Sequence, residues 1–270
     1  MINRRLTQDL IPDTSLWRLE VRIAPDSLLA LLIGPMSADR SVMAHSEPLP
    51  DPTLKSLENA IYDNPLLLGD FQSVSVIIST SQLVQIPQGI SAPLRESIVE
   101  AMLPDSDTAR RTIAAPMPDG ELLAAVDAET LNFLLRTFPD ARLTLSLSVD
   151  ARWLTYYNRN RGDSARLYAL CYADEMKILK FNDCGSLVFA NRFDTFSAAD
   201  CAYYILATAG STPLPVSVGG SPDLRNAVIE QLRLAAPGGE FMPLTLPDSL
   251  LTVRRQAPEI CDDLIFLTEL

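Results

Sequence analysis

One arrangement of segments occurs twice along this chain. In the first half, RLEVRIA (18–24) and SLLALLIG (27–34) read as strands joined by the turn Pro25-Asp26-Ser27, and RSVMAHS (40–46) reads as a third strand. Asp51 and Pro52 then signal a helix start, and Leu54, Leu57 and Ile61 fall on one helical face. SVSVIIST (73–80) follows as a strand, with LVQI (83–86) as its expected hairpin partner. In the second half, RLYALCYA, KILKFN and SLVFANRF give three strands between residues 166 and 193, turning at Asp174-Glu175 and at Asp183-Cys184-Gly185. Ser197, with Asp200 three residues on, resembles a capping box ahead of a helix carrying Cys201, Tyr204, Ile205 and Thr208. LPVSV (214–218) is the next strand; Gly219-Gly220 turns, Ser221 caps and Pro222 opens a further helix. The first turns of the two halves, Asp26 and Asp174, lie 148 residues apart, and the same five elements follow in order in both. Residue identity between the halves is negligible, so the repeat is one of pattern.

Further material separates the two copies. Residues 91–102 read as helix, and the polar, proline-bearing stretch 104–120 as a loop. ELLAAV (121–126) is a strand, and Asp127 caps a helix bearing Leu131, Leu134, Leu135 and Phe138. ARLTLSLSV (141–149) alternates, which predicts a strand with Leu143, Leu145, Leu147 and Val149 on one face, and DARWLTYYN continues as helix. The expected organisation is an N-terminal tail (1–16), a first half (17–158) with an inserted β-α-β subdomain at about 120–150, a linker (159–165) and a second half (166–270).

Duplicated β-β-β-α-β halves resemble the actin-like ATPase fold shared by actin, hexokinase and the Hsp70 chaperones. The inserted unit is similar to that of the bacterial actin homologues of pilus assembly and cell division. The expected fold class is α/β: duplicated β-β-β-α-β halves of the actin-like ATPase fold, with a strand–helix–strand insertion in the first half. The resemblance covers roughly residues 17–245 and rests on element order and on PVSVGGSPDLRNAVIEQLRL, which looks like the adenosine-side strand, glycine turn and helix. The best match in kind is a poorly characterised bacterial family with a degenerate version of this fold.

The resemblance also implies where nucleotide chemistry would sit. In that fold an acidic residue ends the first strand of each half to hold Mg²⁺ and water, and a small turn brings backbone N–H groups to the phosphates. By position, the nucleotide-binding candidates are Asp26, Asp174, Gly219, Gly220 and Ser221. The residues at the turns fit that task badly. Ala24-Pro25-Asp26-Ser27 has no glycine, and Pro25 removes a donor. Ala173-Asp174-Glu175-Met176 has none either, and its two carboxylates repel a triphosphate. Aspartate is also simply a good turn residue, and paired glycines also serve a tight strand-to-helix connection. No catalytic residue, metal site or cofactor is expected; Mg-ATP is the cofactor the fold would take had its motifs survived.

Composition narrows the function. A formal net charge of −12 over 270 residues repels phosphate backbones and argues against nucleic acid. The longest apolar run near the start, LLALLIG, is too short to span a bilayer, and a cytoplasmic protein without membrane insertion is expected. Cys171, Cys184, Cys201 and Cys261 form no C-x-x-C pair, and His45, the sole histidine, is expected at the surface or at a pocket rim. Trp153, Tyr156 and Tyr157 read as helix-packing residues. Three functions stay open: a non-hydrolytic binding or scaffold protein whose protein partner docks on the insertion or on the 104–120 loop; a divergent Mg-nucleotide-binding ATPase or filament former; and two unrelated α+β domains with an accidental repeat.

Overall fold

The computed structural model describes residues 6–35, 41–103, 110–162, 164–173, 175–195, 197–210 and 214–270. The chain forms two compact units, one of Met1–Ala115, Leu122–Ser146 and Thr252–Ile260, the other of Pro116–Glu121, Leu147–Leu251 and Cys261–Leu270.

The first unit is built on β1 (Arg18–Ala24), β2 (Ser27–Ile33), β3 (Val42–Pro48), α1 (Leu54–Tyr62) and β4 (Ser73–Ile78). After these come β5 (Leu83–Pro87), α2 (Ala92–Met102), β6 (Arg110–Met117), β7 (Gly120–Asp127), α3 (Ala128–Thr137) and β8 (Arg142–Leu145). Its main sheet runs β3-β2-β1-β4-β8. The β1–β2–β3 meander is antiparallel, while β4 and β8 lie parallel to β1. Six of the seven residues of β1 and of β2 are buried, as expected for strands covered on both faces. Even Arg22 is buried, its Nη2 donating to Ser79 Oγ at 3.0 Å. Residues 6–16 form two short 3-10 turns; Leu6 and Ile11 are buried, and the Leu6 N–H donates to Asn64 Oδ1 at 2.9 Å.

Several expectations change here. LVQI does not pair with SVSVIIST: β5 joins a separate three-stranded sheet, β5-β7-β6, whose apolar side gathers Val84, Ile86 and Leu123 against α2. Residues 110–117 of the expected loop are a strand, with Ala115 and Met117 buried; as an edge strand it accommodates Pro116. Residues 104–109 of that loop lie outside the described residues, and 118–119 form the turn into β7. The inserted elements are therefore β5, α2, β6 and β7, while β8 extends the main sheet. The first helix is capped by Thr53 rather than Asp51, whose carboxylate accepts from Thr53 and Ser56 instead. The alternating run 141–149 is strand only to Leu145. From Ser146 to Asp150 every residue is buried in a helix, and a helix buried all round leaves no period to read. His45 is buried rather than surface-exposed, 3.4 Å from Glu47, and burial lowers its pKa.

The second unit begins with α4 (Ser146–Asn160) and continues through β9 (Arg166–Cys171), β10 (Glu175–Phe181), β11 (Leu187–Asp194), α5 (Ala198–Ala209), β12 (Val216–Gly220), α6 (Pro222–Ala235) and β13 (Phe241–Pro243). It ends with α7 (Asp248–Gln256), which is shared with the first unit, and α8 (Asp262–Leu267). Its sheet, β11-β10-β9-β12-β13, repeats the strand order and directions of the first. Each half thus has the duplicated topology. One face of β9 and β10 presents Leu167, Ala169, Cys171, Met176 and Ile178 to Cys201 and Ile205 of α5 and to Val228 and Leu232 of α6. Strand alternation puts Tyr168, Leu170, Tyr172, Glu175 and Lys177 on the other face. There Tyr168 donates to Asn158 of α4 at 3.0 Å, and Tyr172 and Lys177 reach α8.

Candidate functional site

The site forms where β9 and β12, parallel neighbours, end side by side. Cys171 pairs with Gly220 and Leu170 with Gly219. Gly220 has φ +94°, and a Cβ there would fall 2.0 Å from the Cys171 carbonyl oxygen, so the backbones approach as only glycine permits. The Ser221 N–H donates to that carbonyl at 3.0 Å and starts α6; the Ser221 hydroxyl makes no capping bond.

The first residue of α8, Asp262, meets this turn. Asp262 Oδ2 accepts from the Gly220 N–H at 2.8 Å and from the Tyr172 hydroxyl at 3.0 Å, while the Asp262 N–H donates to the same hydroxyl at 2.8 Å. A Cβ on Gly219 would lie 3.2 Å from Asp262 Oδ2. Burial, reinforced by Asp262, holds the Tyr172 phenol well above its usual range, so it stays a donor.

Beside this loop Lys177 is fully buried. Its Nζ lies 2.8 Å from Asp150 Oδ2 of α4, 3.1 Å from Asp263 Oδ2 of α8 and 3.7 Å from Glu175 Oε1. Glu175 also receives Arg192 Nε at 2.7 Å, and Arg192 Nη1 reaches Asp194 at 2.6 Å. Carboxylates from three elements thus converge on a cation the chain itself supplies. Burial, opposed by Lys177 and reinforced by Asp263 and Asp262, raises the Asp150 carboxyl to about 7. The apolar half of α8 completes the contact: Phe266 stacks on Trp153 of α4 with centroids 3.9 Å apart, and Trp153 Nε1 donates to Glu269 at 2.9 Å.

Of the residues singled out from sequence, Gly219, Gly220 and Ser221 lie together at this turn. Asp26 is an exposed turn residue of the first unit; its carboxylate accepts from Ser27 Oγ at 3.0 Å and its carbonyl from the Leu49 N–H at 2.7 Å. Asp174 lies outside the described residues. The Ala24-Pro25 side of the first turn lines a cleft of about 360 Å³ with Thr53, Ser79, Gln82 and Arg110, again within the first unit. Trp153 packs in the core, whereas Tyr156 is exposed. Sequence reasoning missed Asp150, Lys177, Asp262 and Asp263. The available signals were a lysine between Met176 and Ile178 in the strand EMKILKF and an acid pair directly ahead of LIFL.

A Bacteroides thetaiotaomicron protein of unknown function with an actin-like ATPase fold is similar over 95% of this chain and 97% of its own, with a TM-score of 0.75 and 16% identity. A structure of the PilM–PilN type IV pilus biogenesis complex is similar over 93% of this chain and 98% of that one, with a TM-score of 0.54 and 11% identity. With the duplicated sheets, these likenesses show that the chain has the actin-like ATPase fold and that it is not a pair of unrelated domains. A comparison with curated proteins finds no match. Among the described residues no helix is long and apolar enough to cross a membrane. The profile of a family of proteins of unknown function, DUF3822, matches residues 11–214, more than half of the sequence, and the chain belongs to that family.

Proposed function

We propose that this protein is a non-hydrolytic, actin-like-fold binding or scaffold protein of the cytoplasm that works through a protein partner and without bound nucleotide. One observation carries the reading: the Gly220 N–H, the donor that the glycine turn would offer a nucleotide, is given to the chain's own Asp262. Pro25, which removes a backbone donor from the first turn, supports it. The structurally similar PilM is seen in a complex with PilN, which supports a partner-binding role for the fold. The alternative, a divergent Mg-nucleotide-binding ATPase or filament former, draws on Asp26, which is exposed at the first turn. Calorimetric titration of the folded chain with Mg-ATP, Mg-ADP and Mg-GTP decides between them. The scaffold reading expects no saturable heat; binding abolished by Asp26→Ala establishes the alternative.

A further inference from the structure

We infer that an open groove on the second unit, between the edge strand β11 and α5, docks a short segment of the protein partner in which an acidic residue stands next to an aromatic or aliphatic one. The inference rests on the proposed function in taking the partner to be a protein. β11 closes one edge of the second sheet, and Phe189 and Phe193 of that strand pack beside Tyr204 of α5. Between strand and helix lies a cavity of about 440 Å³, walled by Val188, Phe189, Phe193 and Tyr204 and lined also by Lys180 and Thr208.

Strand alternation makes the groove apolar. Cross-strand pairing sets Phe189 against Lys180 and Phe193 against Met176, on the sheet face that packs on α5. Phe193 stacks on Tyr204 with centroids 4.6 Å apart, and Tyr203 meets Tyr204 edge-on at 5.4 Å. The register shifts between Lys180 and Phe181, which leaves Val188 without a cross-strand partner on β10. A bulge of this kind re-aims a side chain, and Val188 stands 54% exposed at the groove. Tyr203, 66% exposed, carries the apolar surface on beside it. A wall of rings open to water on one side is a seat for another apolar side chain.

Lys180 supplies the polar contact. Its Nζ donates to the Thr208 carbonyl at 2.9 Å and to the Ala209 carbonyl at 3.3 Å, at the C-terminus of α5. An ammonium has three N–H donors, and the third has no partner among the described residues; no described carboxylate pairs with Lys180. The chain has 34 acidic against 22 basic side chains, yet this half-buried cation is met only by the carbonyls of a helix end. A carboxylate brought to Lys180 takes the third N–H in a charge-assisted bond, while an adjacent apolar side chain lies along Phe189, Phe193 and Tyr204. A basic segment sets like charges together, and a purely apolar one covers the ammonium without pairing it. A free fatty or aromatic carboxylate has the same groups, but small-molecule sites enclose most of their ligand. Here Val188 and Tyr203 stay exposed, which suits a continuing chain.

The test is selection of a random peptide library on the full chain, with the enriched peptides then measured by fluorescence anisotropy. They are expected to carry Asp or Glu beside Phe, Tyr, Leu or Ile. Their affinity should fall at least about tenfold on Lys180→Glu, which replaces attraction by repulsion, and several-fold on Val188→Glu. It should also fall several-fold between about 0.05 and 0.5 M salt. Leu234→Glu, at an exposed position of α6, is expected to leave binding unchanged. No enrichment, enriched peptides without the acid, or binding indifferent to Lys180→Glu overturns the inference. The wild-type salt series and Val188→Glu decide where Lys180→Glu folds poorly. Decanoate bound through Lys180 where no peptide is enriched overturns the docked segment in favour of a free carboxylate. Mg-ATP titration of the same sample separates the two readings. Nucleotide binding by a chain that enriches acidic, apolar peptides overturns the scaffold function alone, and no enrichment without nucleotide binding overturns the groove alone.

Discussion

Replacing Asp262 with alanine removes the acceptor of two hydrogen bonds at once, one buried and one partly buried. The Gly220 N–H (2.8 Å) and the Tyr172 hydroxyl (3.0 Å) both lose their partner. A hydrogen bond to a charged group contributes about 1.5–3 kcal/mol. The two do not add fully, because the Tyr172 hydroxyl keeps the Asp262 N–H as its donor and because one fewer carboxylate relieves the repulsion on Asp150. The expected loss is about 2–4 kcal/mol, in the range that single buried polar deletions reach. Urea unfolding followed by tryptophan fluorescence measures it, since Trp153 stacks on Phe266 and reports undocking of α8; a Trp17→Phe background isolates that signal. A double-mutant cycle with Tyr172→Phe should give a coupling of at least about 0.5 kcal/mol. A loss under about 0.5 kcal/mol, the scale of ordinary surface changes, together with no coupling, would refute the claim that Asp262 holds α8 on the turn.

Gly220→Ala should be far more damaging than Ser221→Ala. Its φ of +94° alone costs about 1–3 kcal/mol, before the clash with Cys171, while the Ser221 hydroxyl makes no capping bond and its loss should change urea stability by under about 0.5 kcal/mol. Lys177→Met removes the buried ammonium that Asp150 and Asp263 share. It should cost about 3–5 kcal/mol, more at pH 8 than at pH 6, where protons offset the loss; equal costs at both would contradict the charge argument. Trp153→Ala removes the ring stacked on Phe266 and should lower stability by about 3–5 kcal/mol in the same urea assay.

Much of the frame was legible because its strands are apolar runs cut by turn residues. The bounds of β1, Arg18–Ala24, are those read from RLEVRIA, and Asp127 caps α3 as its position suggests, accepting the Thr130 N–H at 2.7 Å. Element order alone carried the duplication. What escaped was long-range or lacked a period. Residues 141–145 alternate as a strand, but the continuing alternation to Val149 is an accident of a helix buried on every side. The partner of LVQI is decided by a sheet forty residues away rather than by the adjacent strand. The glycine pair was found, but its occupant lies 42 residues further on, and nothing local to Asp262 says which backbone amide it will meet. Lys177 gave a stronger hint, since a lysine whose strand neighbours Met176 and Ile178 are both apolar needs buried counter-charges.

The most direct measurement is a crystal structure of the full chain grown with Mg-ADP at millimolar concentration. The account predicts the Asp262 carboxylate on the Gly220 amide, Lys177 between Asp150 and Asp263, and no nucleotide at the turn. Nucleotide seated against the Gly220 amide, with Asp262 displaced, would contradict it.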